Sequence, residues 1–180
     1  DDSGNIEVAG TGITLNITPP GYPFTIFEPT DVPAQDFEDS PMELGVKFRA
    51  NTTGFITGIR FYKGNNNGGT HVGNLWTSAG VHLAQVTFTS ETATGWQQAD
   101  FATPIAVTEG LTYVASYHNP TGNFSTRSNF FTQEYPVGPT SSWPLQALAN
   151  SAGGNGVYTY SSSPSFPTSS SGAANYYVDV

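Results

Sequence analysis

The sequence predicts an all-β protein, an antiparallel β-sandwich with a jelly-roll-like arrangement, and three observations support this fold class. Several segments alternate apolar and polar residues with a period of two. Clusters of turn-forming residues, such as KGNNNGGT, TATG and NPTG, separate these segments. No segment keeps a helical period over three turns. Strands that are apolar on one face are expected to bury that face against a second sheet.

Five segments carry the alternation most clearly. They are ELGVKFRA (43–50), GFITGIRFYKG (54–64), HLAQVTFTS (82–90), LTYVASYH (111–118) and NYYVDV (175–180). In the second segment, strict alternation places Phe55 on the same face as Ile59 and Phe61. It places Ile56 and Arg60 on the opposite face.

The remaining segments separate a module from its connections. We predict that residues 27–180 form the β-sandwich module and that residues 1–26 form a linker or an accessory N-terminal strand. Residues 135–156 and 161–175 are too rich in Pro, Ser and Gly for paired central strands. We interpret both stretches as long loops at an end of the sandwich.

The stretch 27–45 carries six carboxylates and no Lys or Arg. Three prolines stiffen it and prevent the charges from spreading apart. Glu43 opens a strand on its polar face, and Asp179 lies between two valines in the last predicted strand. Oxygen donors at mixed spacing suit Ca²⁺, whereas Zn²⁺ favours His or Cys. We predict a structural calcium site formed by Asp36, Asp39, Glu43 and Asp179, and the alternative is a solvated acidic loop.

Aromatic and amide side chains are abundant, and several stand at strand ends or in loops. Trp143 lies in SSWPL, where no core periodicity holds it. Rings that bind sugars stack on pyranose faces, whereas amides, Lys and neutral His form hydrogen bonds with hydroxyl groups. For any single Tyr, a place in the core is the alternative. The predicted ligand contacts are Tyr62, Lys63, His71, Trp76, Tyr117, His118 and Trp143.

Composition and missing motifs disfavour several function classes. The formal net charge of −9 repels phosphate groups, so nucleic acid and anionic membranes are poor partners. The apolar runs are too short to span a bilayer, so we expect no membrane insertion. The sequence contains no Cys nucleophile, no G-x-S-x-G motif and no P-loop. We therefore expect a protein that is not an enzyme.

The order of several motifs resembles a known bacterial family of secreted, multidomain proteins, domain of unknown function 4082. The motifs are FEPTDVPA, PMELGVKFRA, GFITGIRFYKG, GTHVGNLWT, GWQQADF, PIAVTEGLTYVASYH and NYYVDV, which cover most of residues 27–180. The resemblance implies a β-sandwich appended to larger extracellular proteins, some of which act on polysaccharide or adhere to it. It supplies no catalytic residue that could be assigned here.

These observations predict a carbohydrate-binding or adhesin module of a secreted or surface bacterial protein. Few charged residues and abundant Thr, Ser, Asn and Gly are typical of extracellular β modules. We expect a monomeric module, stabilised by calcium, that binds a neutral polysaccharide or glycan and contacts other domains of its parent chain. The alternative is a structural spacer or stalk, in which the aromatic residues form the core and the surface binds no ligand.

Overall fold

The computed structural model describes residues 24–139 and 143–180. Residues 1–23, most of the predicted linker or accessory strand, lie outside the described residues. Within the described residues, short 3₁₀ turns occupy Phe130–Thr132 and Asn150–Ala152. In chain order the strands are β1 (Gln35–Glu38), β2 (Met42–Ala50), β3 (Gly54–Lys63), β4 (Val72–Thr77), β5 (His82–Thr87), β6 (Gly95–Val107), β7 (Thr112–Asn119), β8 (Asn123–Thr126), β9 (Leu145–Ala147), β10 (Val157–Tyr160), β11 (Ser169–Ser170) and β12 (Val178–Asp179).

The strands form a large sheet, a small sheet and a two-stranded ribbon. The large sheet has the order β11–β10–β2–β7–β4–β5, with β9 also paired to β2. The small sheet has the order β12–β3–β6, and the ribbon pairs β1 with β8. The described strand pairs are antiparallel. The predicted all-β antiparallel sandwich is confirmed, whereas the strand order does not establish the jelly-roll-like arrangement.

The apolar faces of the two sheets meet in a shared core. Leu44 and Phe48 of the large sheet are fully buried, as is Ile59 of the small sheet. Phe61 of β3 stacks on Tyr117 of β7 with ring centroids 4.2 Å apart. Because these two rings belong to different sheets, their stacking joins the two layers directly.

The face predicted for Phe55 in β3 is wrong, because the pairing of this strand is irregular. The pairing of β3 with β6 shifts register between Ile56 and Gly58. Across this irregularity β3 advances by two residues while β6 advances by five, so the regular side-chain alternation is interrupted there. Ile56 is therefore buried at 4% exposure, and Phe55 is 68% exposed. Strict alternation had placed Phe55, and not Ile56, with the core residues.

Two stretches interpreted as loops contain paired strands. Residues 135–156 include β9, and residues 161–175 include β11. Strand β2 is nine residues long, so β10 pairs with its first half and β9 with its second half. Ladder hydrogen bonds are made by the backbone, so a Pro- and Gly-rich stretch can supply short strands without a side-chain period. In the part of the chain that the structure describes, no helix is long and apolar enough to cross a membrane.

Candidate functional site

A groove of about 330 Å³ lies where β3 ends. It is lined by residues 32–36, by residues 62–65 and by Thr94. Its volume is at the lower end of the range for small-ligand sites. The groove brings Tyr62 and Lys63, both predicted ligand contacts, next to Asp36, which was predicted as a metal ligand.

Asp36 fixes one wall of the groove to the loop that follows β3. Its Oδ1 accepts a hydrogen bond of 2.6 Å from Ser125 Oγ. Its Oδ2 accepts hydrogen bonds from the backbone N–H of Asn65 at 3.2 Å and from the Asn65 side-chain amide at 3.0 Å. A Cβ at Gly64 would collide with both Ser125 and Asp36, so only glycine permits this close approach. The walls are therefore held in place before any ligand binds.

Tyr62 supplies the aromatic surface of the groove. Its half-buried ring meets Trp96 edge to face, with centroids 5.7 Å apart. The Arg60 guanidinium lies over the same Trp96 ring, 4.3 Å from its centroid. The Tyr62 backbone N–H also donates to the Tyr177 carbonyl at 2.9 Å. These contacts hold Tyr62 in one orientation, as stacking on a sugar requires.

Lys63 is held by a buried network that reaches into the core. Its Nζ donates to Glu91 Oε2 at 2.8 Å, and His71 Nδ1 lies 2.8 Å from Glu91 Oε1. His71 Nε2 lies 2.8 Å from the side-chain amide oxygen of Asn67, and the amide nitrogen of Asn67 donates to the Tyr117 hydroxyl at 3.3 Å. Burial lowers the pKa of His71, and the neighbouring Glu91 only partly opposes this effect.

The other predicted ligand contacts do not line this groove. Four of the seven predicted residues are buried, and a buried ring offers no face on which a sugar can stack. The structure therefore does not support direct ligand contacts for these four. They are His71, Trp76, Tyr117 and His118. Trp143 is 36% exposed, but its carbonyl accepts a hydrogen bond from Asn51, at the end of the sandwich where β3 begins. The ten residues of β3 span about 33 Å, so Trp143 lies far from the groove.

Glu43 lies in a second buried network, on the outer face of the large sheet. Its Oε1 accepts hydrogen bonds from Ser116 Oγ at 2.5 Å and from the Asn74 side-chain amide at 2.8 Å. Its Oε2 accepts a longer one, 3.4 Å, from the backbone N–H of Ser165. His118 Nδ1, 3.7 Å from Oε2, is buried and has no hydrogen-bond partner in the part of the chain that the structure describes. Burial raises the pKa of Glu43 to about 7.

Asp179 joins the C-terminal strand to the segment that precedes the sandwich. Its Oδ1 accepts from the backbone N–H of Ile26 at 2.8 Å, and its Oδ2 accepts from that of Phe27 at 3.0 Å. Arg60 Nε and a terminal guanidinium nitrogen donate to Oδ2 at 2.9 and 2.7 Å. The same guanidinium donates to the Phe27 carbonyl. The charge that compensates Asp179 in this structure is thus an arginine.

The structure does not bring the four predicted calcium ligands together. Asp36 is held in the groove wall, and Asp39 accepts a hydrogen bond from the Tyr160 hydroxyl at 2.7 Å. Glu43 and Asp179 each follow a core residue along their own strand, and successive side chains of a strand point to opposite faces. The two carboxylates therefore lie on the outer faces of different sheets. Among residues 24–139 and 143–180, no group of three or more His, Asp or Glu side chains is placed to hold a metal ion. Calcium binding elsewhere on the protein stays a prediction.

The comparison with protein families covers nearly all of the sandwich. The model of a family described as Domain of unknown function (DUF4082) matches residues 28–178. The chain belongs to this family. The resemblance seen in the sequence motifs is thereby confirmed at the level of the domain family. No curated protein matches the chain as a relative.

The buried carboxyl of Glu43 makes the stability of this DUF4082 domain depend on pH. The folded state holds the Glu43 proton more tightly than the unfolded state, because the pKa rises from 4.5 to about 7. The resulting stabilisation is complete below pH 4.5 and is lost as the pH rises through 7. Relative to Glu43→Gln, we expect the free energy of unfolding of the native protein to fall by about 3 kcal/mol across this range.

Denaturant unfolding at a series of pH values measures this difference. The burial-lowered pKa of His71 acts in the opposite direction, but it is common to both proteins and cancels in the comparison. His118 lies 3.7 Å from Glu43, so its titration is coupled to that of Glu43 and forms part of the measured difference. Glu38→Gln, at an exposed position of β1, is the control and is expected to follow the native profile. Parallel profiles for the native protein and Glu43→Gln would contradict the prediction.

Sequence reasoning missed two residues that organise the site of the DUF4082 domain. Arg60 lies on the same face of β3 as Tyr62. The period of two could therefore have predicted that Arg60 lies beside the groove. Glu91 lies in the turn-like segment ETATG, where no periodicity indicates which way its side chain points. Its contacts with Lys63 and His71 span 28 and 20 residues of sequence and could not be read from local pattern.

Proposed function

We propose that this domain is a non-catalytic carbohydrate-binding or adhesin module of a secreted or surface bacterial protein. Its ligand is a neutral glycan, and the binding site is the groove at the end of β3. Tyr62 provides a surface for stacking on a sugar ring, and Lys63, Asn65 and Asp36 provide donors and acceptors for hydroxyl groups.

The observation that carries the proposal is the convergence of a fixed aromatic ring with polar groups in one preformed groove. Asp36 accepts three hydrogen bonds within the protein, so its carboxylate retains capacity for a further one. Lys63 uses one of its three N–H donors on Glu91, which leaves two. A groove of this size covers one or two sugar rings. We therefore expect weak binding by a single module and stronger binding through avidity in a multivalent parent protein.

Truncation of the aromatic ring tests the site. Tyr62→Ala is expected to weaken binding of a neutral oligosaccharide about tenfold, because the stacking surface is lost. Titration calorimetry with cellohexaose, xylohexaose and mannohexaose measures the dissociation constants. Trp143→Ala is the matched control, since it removes an aromatic ring at the far end of the sandwich and is expected to leave affinity unchanged.

Three results would oppose the proposal. Equal affinity of Tyr62→Ala and the native domain would place the sugar elsewhere. Loss of affinity in Trp143→Ala alone would move the site to the other end of the sandwich. Absence of binding to all three oligosaccharides at millimolar concentration would favour the second candidate function.

The second candidate is a structural spacer without a ligand. One observation favours it: two of the four Tyr and Trp residues predicted to contact a sugar, Trp76 and Tyr117, are packed in the interior. Tyr117 and Phe61 form part of the core, and Trp76 donates its indole N–H to Ser116 at 2.8 Å beneath the 161–168 segment. A spacer needs this rigidity and no groove chemistry, so glycan binding separates the two functions.

A further inference from the structure

Of the two charged side chains that line the groove, one is paired with an opposite charge and the other is not. Asp36 and Lys63 both line it. The Lys63 ammonium is paired with Glu91 at 2.8 Å, and both side chains are largely buried, at 14% and 10% exposure. Among the described residues, Asp36 accepts hydrogen bonds only from the neutral groups of Ser125 and Asn65. The groove therefore has one neutralised cation and one carboxylate whose charge is not cancelled.

Glu91 is held by the core and not by the groove. His71 Nδ1 contacts both of its carboxylate oxygens, at 2.8 and 2.9 Å. The His71 ring is fully buried and packs 4.8 Å from the Phe61 ring, within the same core that holds Tyr117. Burial lowers the pKa of His71 and so disfavours a second cation beside Glu91, whose negative charge lies against the Lys63 ammonium. That charge remains available to neutralise Lys63.

We propose that Glu91, positioned by His71, determines the charge specificity of the groove: by cancelling Lys63 it leaves Asp36 dominant, so the groove binds uncharged sugars and excludes uronic acids. This inference rests on the proposed function and names the residue that selects among glycans. Glu91 acts through Lys63 and is therefore a positioning residue. Without it, the ammonium of Lys63 would be free to attract a sugar carboxylate.

The test compares a neutral and an acidic ligand of similar length. Titration calorimetry with cellohexaose and hexagalacturonate gives the ratio of the two affinities for each variant. Glu91→Gln keeps the size of the side chain and removes its charge. We expect it to raise the uronate-to-neutral affinity ratio about tenfold, because a single unit charge a few ångströms away has that effect near a protein surface. High salt is expected to suppress this gain.

Two further variants separate charge from structure. Glu91→Asp retains the carboxylate and is expected to keep the native ratio. Asp36→Asn, at an exposed position, removes the other negative charge and is expected to raise the ratio in the same direction. It also keeps the test decisive if Glu91→Gln does not fold, as judged by circular dichroism.

The outcomes distinguish this inference from the proposed function. If the native domain binds neither oligosaccharide, both fail. If it binds cellohexaose but Glu91→Gln and Asp36→Asn leave the ratio unchanged, the groove is a glycan site whose specificity Glu91 does not set. If the native domain already binds hexagalacturonate as tightly as cellohexaose, the inference is overturned while the groove remains a glycan site.

Discussion

Asp179→Ala is expected to lower the free energy of unfolding by about 3–5 kcal/mol, because removing one partner of a buried ion pair leaves the other charge uncompensated. Arg60 would lose its carboxylate partner, and the N–H groups of Ile26 and Phe27 would lose their acceptors. Asp179 is fully buried, so water cannot readily replace these contacts. Urea denaturation of the native protein and the variant measures the loss.

The same measurement, made in calcium and in chelator, decides whether Arg60 or a calcium ion compensates the negative charge of Asp179. If Arg60 compensates the carboxylate, the loss is equal in calcium and in chelator. A loss confined to calcium would instead support the calcium site predicted from the sequence. Asp100→Ala, at an exposed carboxylate of β6 in the same sheet, is the control and is expected to change stability by less than about 0.5 kcal/mol. Arg60→Met combined with Asp179→Leu should recover part of the loss, since an apolar pair leaves no buried charge.

Phe27→Ala is expected to cost about 3–5 kcal/mol, since it removes a fully buried ring and leaves a cavity that its neighbours fill only partly. The Phe27 ring lies within 6.4 Å, centroid to centroid, of five other rings from distant parts of the chain. These belong to Trp96, Phe130, Phe131, Tyr135 and Tyr177. Loss of this ring therefore weakens the packing between the N-terminal segment, β6 and the C-terminal segment together.

A matched aromatic variant tests whether burial is the cause. Phe37 of β1 is 47% exposed and, within residues 24–139 and 143–180, contacts a single ring, that of Phe124, at 5.9 Å. We expect Phe37→Ala to cost about 1 kcal/mol or less. Similar urea midpoints for the two variants would show that Phe27 does not hold the N-terminal segment in place.

Local pattern predicted the strands whose apolar face reaches the core. In β2 and β7, alternate residues such as Leu44, Phe48 and Tyr117 lie in the shared core as the period of two requires, although residues between them, such as Glu43 and Ser116, are also buried. The pattern failed in β3 near Gly58, because the irregular pairing with β6 interrupts the alternation there and the glycine within the strand was only a weak signal of it. It also failed for β9 and β11, whose pairing depends on backbone hydrogen bonds to a neighbouring strand and not on their own side chains.

The candidate site was also only partly predictable, because local pattern does not specify contacts with distant segments. Tyr62 and Lys63 end a patterned strand, so their place at the edge of the sandwich follows from sequence. Tyr117 also lies near a strand end, yet its alternation puts it on the core face, where Phe61 covers it. Chemical type suggested sugar binding for both tyrosines, but only burial distinguishes them.

By itself, then, the amino-acid sequence determined the fold class, the family and the face that most patterned side chains take. Only the tertiary structure decided which polar groups became partners, such as Asp179 with Arg60, 119 residues apart, and Glu43 with Ser116, 73 residues apart. A period of two specifies the side of a strand on which a residue lies. It does not specify which strand lies alongside, because strand order results from many weak contacts between distant segments acting together.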